Sequence, residues 1–353
     1  MNIFVTGGTG FLGAYLLYEL LQTPHAIKAL KRPNSNLTHL RLVFRFLATQ
    51  SHRPPEEAEA DLQAIDWVEG ELLDTKCIRD ALIDVDAVYH AAAYVSFDRQ
   101  ERETIMDTNL HGTTNMVNLA IECGVTYFYH VSSVAALQQK PGQLVEEQLE
   151  EFPREFPTTY AESKFRGERE VWRGFAEGLQ GFIVNPGVIL GPGSLERGAG
   201  LIFKQVLKGL RFYPQGGGAY VDARDVVRAM LALQDQPASY RNRFILVDKT
   251  LPVRQVLSQI AEAFGLTTPR IPASAGMSRL LGYIEEWRSY FTGRPPLITP
   301  ELAELSSSTF YYDTSKIEEH LDFSFQPVED TISTTCHFIE EHDLHKLYLE
   351  KKL

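Results

Sequence analysis

The sequence predicts an α/β protein: a doubly wound parallel sheet with a smaller, mostly helical C-terminal lobe. Three observations carry this. Short apolar runs rich in β-branched and aromatic residues alternate with helical patterns over roughly the first 250 residues. The runs are apolar on both faces, as strands of a parallel sheet covered on two sides must be. After about Leu190 the texture changes to glycine- and proline-rich loops, and from Leu251 to helices interrupted by prolines.

Residues 1–6 read as a buried strand, 7–13 as a turn, and Phe11–Gln22 as a helix with Leu12, Leu16, Leu17, Leu20 and Leu21 recurring at helical spacing. Ala26–Lys31, Ile65–Glu69, Ala87–Ala91, Thr126–Val131, Phe182–Val184 and Phe244–Val247 read as further strands. Helical patterns cover about Leu37–Ala48, Lys76–Ile83, Glu101–Glu122, Thr159–Glu177 and Ala223–Leu233. Ser51–Ala60, with Pro54, Pro55 and several acids, reads as an exposed loop or insertion. The expected division is a dinucleotide-binding domain over 1–190, with 220–250 returning to it, and a substrate-binding lobe made of 191–219 and 251–353.

Bulk properties exclude several functions. With 34 basic and 46 acidic residues the net charge is −12, which repels phosphate backbones, so no nucleic-acid partner is expected. Cys77, Cys123 and Cys336 are odd in number and widely spaced, which argues against a disulfide framework or a zinc site. The ten histidines show no metal-like clustering, and His342 and His345 read as helix surface, so no metal is expected. No basic region opens the chain, and the apolar run Phe11–Leu17 is too short to span a bilayer. A cytoplasmic protein without membrane attachment is the expectation.

Thr6-Gly-Gly-Thr-Gly-Phe-Leu-Gly13 joins a strand to a helix. Gly7 permits a tight turn, Gly10 lets the backbone approach a pyrophosphate, and Gly13 lets helix and strand pack closely. The diphosphate of a dinucleotide would sit at the helix N-terminus, where free N–H groups and the dipole favour an anion. The end of the second strand reads Lys31-Arg32-Pro33-Asn34-Ser35 and lacks the acid that binds ribose hydroxyls of NAD. Arg32 can pair with a 2′-phosphate, which favours NADP(H) over NAD(H); the bland reading is a solvated loop charge.

Tyr160-Ala-Glu-Ser-Lys164 places a phenol and an ammonium four residues apart, on one helix face. A neighbouring cation favours the phenolate, bringing tyrosine within reach of acid–base work. Upstream, His130-Val-Ser-Ser-Val-Ala135 ends a strand where such sheets bind ligands. Ser133 is the candidate to polarise a substrate carbonyl, with Ser132 on the cofactor side; an ordinary strand-end pair satisfying backbone groups is the alternative. Phe97, Phe212, Tyr213 and Tyr290 are candidates to line an apolar pocket, or equally to be core packing.

Together these signals resemble the extended branch of the short-chain dehydrogenase/reductase superfamily, strongly from Met1 to about Leu233 and loosely beyond. Other matching pieces are His90-Ala-Ala-Ala93, Asn109-Leu-His-Gly-Thr113, Asn185-Pro-Gly-Val-Ile-Leu-Gly-Pro-Gly193 and Tyr220-Val-Asp-Ala-Arg-Asp225. Gly70-Glu-Leu-Leu-Asp74 resembles the adenine-contacting segment, although Glu71 stands where aspartate is usual. Leu30-Lys-Arg-Pro33 and Tyr290-Phe-Thr-Gly-Arg-Pro-Pro296 look like the dihydroflavonol-reductase-like group. The resemblance implies a Rossmann domain and a catalytic set of Ser133, Tyr160 and Lys164, with Asn109 helping to order a water near Lys164. It implies cofactor contacts from Gly7, Gly10, Phe11, Leu12, Gly13, Arg32, Glu71, Leu72, Ala91, Ala92, Ala93, Ser132, Tyr160, Lys164, Pro186, Gly187 and Val188. It also implies a homodimer formed through the helices carrying Asn109 and Tyr160.

The activity expected is hydride transfer between NADP(H) and a small-molecule ketone, aldehyde or secondary alcohol. A nucleotide-sugar epimerase with tightly bound NAD is one alternative. A 4,6-dehydratase would carry an Asp-Glu pair after the catalytic serine, where this chain has Val134-Ala135. A non-catalytic NADP-binding regulatory protein is the third reading, and it would be expected to have lost the Tyr/Lys pair.

Overall fold

The first strand, β1 (Asn2–Thr6), is buried over Ile3–Thr6 and runs into the glycine turn and α1 (Phe11–Leu21). The structure, a computed structural model, describes residues 1–138, 142–148, 155–292 and 299–349. Of the segment 290–296 singled out above, residues 293–296 lie outside the described residues, as does the side chain of Tyr290. There follow β2 (Ala26–Lys31), α2 (Thr38–Gln50), α3 (Pro55–Gln63), β3 (Asp66–Glu69), α4 (Thr75–Ala81), β4 (Ala87–His90), α5 (Arg102–Met106), α6 (Gly112–Glu122), β5 (Tyr127–Val131), α7 (Thr159–Ala176), β6 (Phe182–Pro186) and β7 (Asn242–Leu246). The seven strands form one parallel sheet in the order β3-β2-β1-β4-β5-β6-β7.

From β1 the chain builds outward through β2 and β3, then crosses to β4 on the other side. The reversal opens a crevice at the carboxyl ends of β1 and β4, where such sheets bind ligands. Side-chain alternation along the strands feeds two cores. Ile3 and Val5 pack with Tyr15, Leu16 and Leu20 of α1 on one face. Phe4 packs with Ile78 of α4, Met116 of α6 and Val171 of α7 on the other.

One expectation is corrected and two gain detail. Ser51–Ala60 is not simply an exposed loop, because Pro55 opens a helix. Proline suits the first helical position, Glu56 and Glu57 stand in the first turn, and Ala58 and Leu62 are buried. Arg53 clasps that helix at Glu57 (3.0 Å) and Asp61 (2.7 Å). The helix expected over Glu101–Glu122 begins as α5 and ends as α6, with a π-helical turn at Asp107–His111 between them. Finally, not all of 220–250 returns to the main sheet. Ala223–Gln234 packs on it and β7 joins it, but Gly217–Asp222 pairs with Val188–Leu190 and Lys249–Pro252 in a separate sheet. The chain leaves the main sheet at Gly187, where any Cβ would meet the Ala219 carbonyl oxygen at 2.5 Å.

The C-terminal part is mostly helical, and prolines start some of its helices: Pro300 opens Pro300–Leu305, and Pro327 precedes Val328–Glu341. The last of these buries Ile332, Phe338 and Ile339 in the main core, with Phe338 edge-on to Phe46 of α2. His342 ends that helix half-buried rather than on the open surface, its ring 4.4 Å from that of the buried Phe338. Among the described residues no cluster of metal-ligating side chains occurs. No helix among them is long and apolar enough to cross a membrane.

Candidate active site

The glycine turn forms a close-walled cradle. Gly7 has φ +75°, and a Cβ there would lie 2.6 Å from the Ala91 carbonyl carbon and the Ala92 nitrogen. A Cβ on Gly13 would lie 2.0 Å from the Gly7 carbonyl oxygen. Gly10 is the N-cap of α1 and supplies no side chain, and the first turn of α1 carries no acid. The leading N–H groups therefore keep their positive field, which suits an anion such as a diphosphate. Phe11 and Leu12 follow directly. Donor chemistry, free helix end and backbone clearance all fit a dinucleotide diphosphate.

Thr6, His90 and His130 stand side by side at the strand ends, in register across β1, β4 and β5. The His90 ring bridges Thr6 Oγ1 (2.7 Å) and Thr113 Oγ1 (2.9 Å) and stacks on His130 at 5.2 Å. Burial and the nearby Lys164 charge push His90 down to about 3 and hold His130 well below its usual value. Both rings are thus neutral walls at ordinary pH. Ala91 and Ala92 are half-buried and Ala93 exposed. The segment is fixed by Asn109, whose Oδ1 accepts from the Tyr94 N–H (2.8 Å) and whose Nδ2 donates to the Tyr94 carbonyl (3.0 Å). Nδ2 also donates to the Ser163 hydroxyl (2.9 Å). Asn109 thus ties the floor of the crevice to α7.

Thr158 caps α7, accepting from the Ala161 N–H (3.0 Å), so Tyr160 and Lys164 fall in the first two turns on the sheet side. Lys164 is buried and donates from Nζ to the Val131 carbonyl (2.8 Å). Burial lowers it to about 8, against the opposing pull of Glu168. Tyr160 is raised by burial, and a hydrogen bond with the Ser133 hydroxyl offsets part of that rise. Ser133 Oγ also accepts from the Ala135 N–H (3.1 Å), which fixes its rotamer. Phe97 lies edge-on to Tyr160 at 5.8 Å.

Ser133, Tyr160, Lys164 and Phe97 therefore meet in one place. Ser132 does something other than face a cofactor with its hydroxyl: it donates to Glu168 Oε2 at 2.6 Å. Phe212 is exposed, and Tyr213 lies under the Arg254 guanidinium at 5.2 Å. Arg32 is exposed at the end of β2, on the same edge as Tyr94, whose phenol donates to Glu101 (2.7 Å). Glu71 is exposed while Leu72 is buried, its carbonyl held by Asn115 Nδ2 (3.2 Å). Pro186 is buried at the end of β6, followed by Gly187 and the exposed Val188.

Sequence reasoning missed Glu168 and Arg243, a buried ion pair at 2.9 Å directly behind Lys164. Glu168 continues the i, i+4 spacing of Tyr160 and Lys164, a signal that could have found it. Arg243 comes from β7 and carries no such mark.

The model of the "NAD dependent epimerase/dehydratase family" matches residues 3–246. A Synechocystis sp. protein named provisionally as a dihydroflavonol 4-reductase is 26% identical over 345 residues, covering 96% of this chain and 94% of that protein. Sterol demethylase protein B of Methylococcus capsulatus is 28% identical over 327 residues, covering 91% and 93%. The crystal structure of DesIV, a dTDP-glucose 4,6-dehydratase from Streptomyces venezuelae with NAD and TYD bound, superimposes with a TM-score of 0.73 at 20% identity, covering 97% of each chain. That likeness is one of fold. The chain belongs to the NAD dependent epimerase/dehydratase family, as an NAD(P)-dependent enzyme of the extended short-chain dehydrogenase/reductase type and its dihydroflavonol-reductase-like group.

Proposed function

We propose that this protein transfers hydride between NADP(H) and a ketone, aldehyde or secondary alcohol carried on an apolar small molecule. The observation that carries the reading is the meeting of Ser133, Tyr160 and Lys164 at the strand ends beside the glycine cradle. A bound nicotinamide supplies or accepts the hydride. Ser133 and Tyr160 hydrogen-bond the substrate oxygen, and in reduction Tyr160 gives it the proton while the alcohol O–H bond forms. Lys164 stands behind the phenol as a buried cation and offsets the charge that tyrosine gains. In oxidation the same groups act in reverse. Val134–Ala136 follow Ser133 as a short 3₁₀ turn without a carboxylate, which supports redox chemistry over dehydration.

Phe97 beside Tyr160 makes that end of the crevice apolar, and the relatives named for a dihydroflavonol and a sterol are consistent with a hydrophobic substrate. We assign 191–219 and 251–353 to the substrate side. The test is fluorescence titration with NADPH and NADH, then NADPH consumption with a dihydroflavonol, a 3-keto sterol and a short aliphatic ketone. Turnover of none of them would remove the reading.

Arg32 is the proposed partner of the 2′-phosphate. Arg32→Ala is expected to raise the NADPH Kd about tenfold, in line with loss of one charge-assisted contact, and to leave NADH within about twofold. Equal losses for both cofactors would make Arg32 a bystander. We further propose a homodimer through α5–α6 and α7. Light scattering should then return twice the 39.9 kDa of one chain, and a single-chain mass would remove that assembly. A cytoplasmic location is part of the same proposal.

A further inference from the structure

Behind the Tyr160/Lys164 face of α7 lies a carboxylate that the proposed reaction does not use. Glu168 is almost wholly buried, one turn beyond Lys164. Its Oε2 accepts from the Ser132 hydroxyl (2.6 Å) and from Asn185 Nδ2 (2.8 Å). Its Oε1 accepts from Arg243 Nη1 (2.9 Å) and from the Trp172 indole N–H (3.3 Å). Asn185 Nδ2 also donates to the Ser133 carbonyl (3.0 Å). Beside the main-chain bond from the Ser132 N–H to the Val184 carbonyl (2.8 Å), two side-chain tethers of the Ser132–Ser133 strand end therefore run to one carboxylate. A buried charge is tolerated only where every lone pair is used, and here four donors use them.

Arg243, itself buried, carries the connection further. Its Nε donates to the Glu147 carbonyl (3.1 Å) and its Nη2 to the Gln148 carbonyl. The Glu147 carboxylate in turn accepts from the Ile245 N–H (3.0 Å). The serine strand end of β5, Asn185 of β6 and Arg243 of edge strand β7 thus converge on Glu168, and Arg243 also holds the backbone at Glu147 and Gln148.

We propose that Glu168, paired with Arg243, is a positioning residue of this site: it fixes the Ser133 strand end against the Tyr160/Lys164 helix. The proposal rests on the hydride-transfer reading above. Ser133 and Tyr160 must both reach one substrate oxygen, and they sit on different elements. A displacement of about 1 Å at such a pair costs on the order of a hundredfold in rate. The Ser132 and Asn185 tethers remove that freedom.

The negative charge also acts on Lys164 through space. Burial favours the neutral amine, and Glu168 is the group that opposes it. The other charged or titratable groups around the pair are Arg243 from β7, the neutral rings of His90 and His130 from β4 and β5, and Tyr160 on α7 itself. Glu147 from the loop and Lys316 from the helix Ser315–Leu321 stand beyond Arg243. Replacing Glu168 by glutamine leaves Arg243 uncompensated, and both changes disfavour the Lys164 cation. Its loss of charge should therefore move to lower pH.

The test uses two variants and two readouts on the full chain. Ser132→Ala removes one tether and leaves the ion pair, so it should fold. Glu168→Gln removes the charge. With the carbonyl compound turned over fastest in the panel above, Ser132→Ala should lower kcat about tenfold and Glu168→Gln about a hundredfold, with KM and NADPH Kd within about twofold. Independently of any substrate, the Lys164 side chain is followed by NMR of ¹³Cε-labelled lysine, its signal assigned by its loss in Lys164→Arg. The midpoint near pH 8 should fall by at least about half a unit in Glu168→Gln and stay in place in Ser132→Ala.

A Ser132→Ala enzyme turning over within about twofold of the unaltered one overturns the positioning role. An unmoved Lys164 midpoint in folded Glu168→Gln overturns the electrostatic one. Should Glu168→Gln fail to fold, Ser132→Ala decides the positioning role alone. If no carbonyl compound is turned over at all, the hydride-transfer reading has failed and the positioning role falls with it, while the NMR midpoint still judges the Glu168–Lys164 coupling.

Discussion

Tyr160→Phe should abolish turnover, with kcat down at least about a thousandfold, while NADPH binds within about twofold of its unaltered Kd. The size follows from the chemistry. Positioned proton transfer is worth about 10²–10⁴ in rate, and the change removes one of the two hydrogen bonds to the substrate oxygen as well as the proton itself. The ring is kept, so packing against Phe97 is preserved and stability should change little. The rest of the site shows why no other residue substitutes. His90 and His130 are held neutral by burial, and Lys164 gives a hydrogen bond to the Val131 carbonyl. The unaltered enzyme should reduce carbonyls well below about pH 8 and lose activity as pH rises through that value, because the Lys164 cation is then lost. Stopped-flow and steady-state NADPH consumption measure both points. A Tyr160→Phe enzyme with near-normal turnover would sink the assignment of Tyr160 as proton donor.

Gly13→Ala should be the most damaging single-methyl change at the cofactor site. The new Cβ would lie 2.0 Å from the Gly7 carbonyl oxygen, 2.7 Å from the Gly7 carbonyl carbon and 2.8 Å from Gly8 Cα. All three are backbone atoms, so no side chain can swing away and the turn itself must move. Overpacking of this kind costs about 1–3 kcal/mol of stability, occasionally more. The larger loss is in function, because the displaced backbone carries the N–H groups that would hold the diphosphate. A rise of about a hundredfold or more in NADPH Kd is expected, about 3 kcal/mol. Gly276→Ala is the control: nothing lies within 4 Å of its Cβ position, and it sits in the helix Ala275–Thr292. It should leave NADPH binding unchanged and stabilise the fold by up to about 1 kcal/mol, since alanine is the better helix former. Thermal unfolding and cofactor titration of the two variants settle the comparison; cofactor binding by Gly13→Ala equal to that of Gly276→Ala would place the diphosphate elsewhere.

Much of the fold was legible because it is written in local patterns. The glycine turn, the apolar strands and the amphipathic α7 each repeat at the period of their own element, and the structure has each of them. The misreadings share a cause. At Ser51–Ala60 the two prolines and the acids read as loop composition, yet Pro55 and Glu56–Glu57 are what a helix start requires, and Ala58 and Leu62 bury its inner face. At Gly217–Asp222 the glycines read as loop, yet the segment is a strand, and the sheet it joins depends on a contact with Ala219 near Gly187 that no sequence spacing encodes.

By itself the sequence determined the alternation of strands and helices, the cradle at Gly7–Gly13 and the spacing that puts Tyr160 and Lys164 on one helix face. These are properties of neighbours along the chain, and backbone geometry converts them directly into structure. Only the tertiary structure decided that Ser132 turns its hydroxyl to Glu168, that Asn109 clasps the backbone of Tyr94, and that Arg243 reaches across from the sheet edge. Each of those bonds joins residues from 15 to 75 positions apart. A buried polar group takes whatever partner the packed fold brings within about 3 Å, and that choice exists only once the sheet has closed.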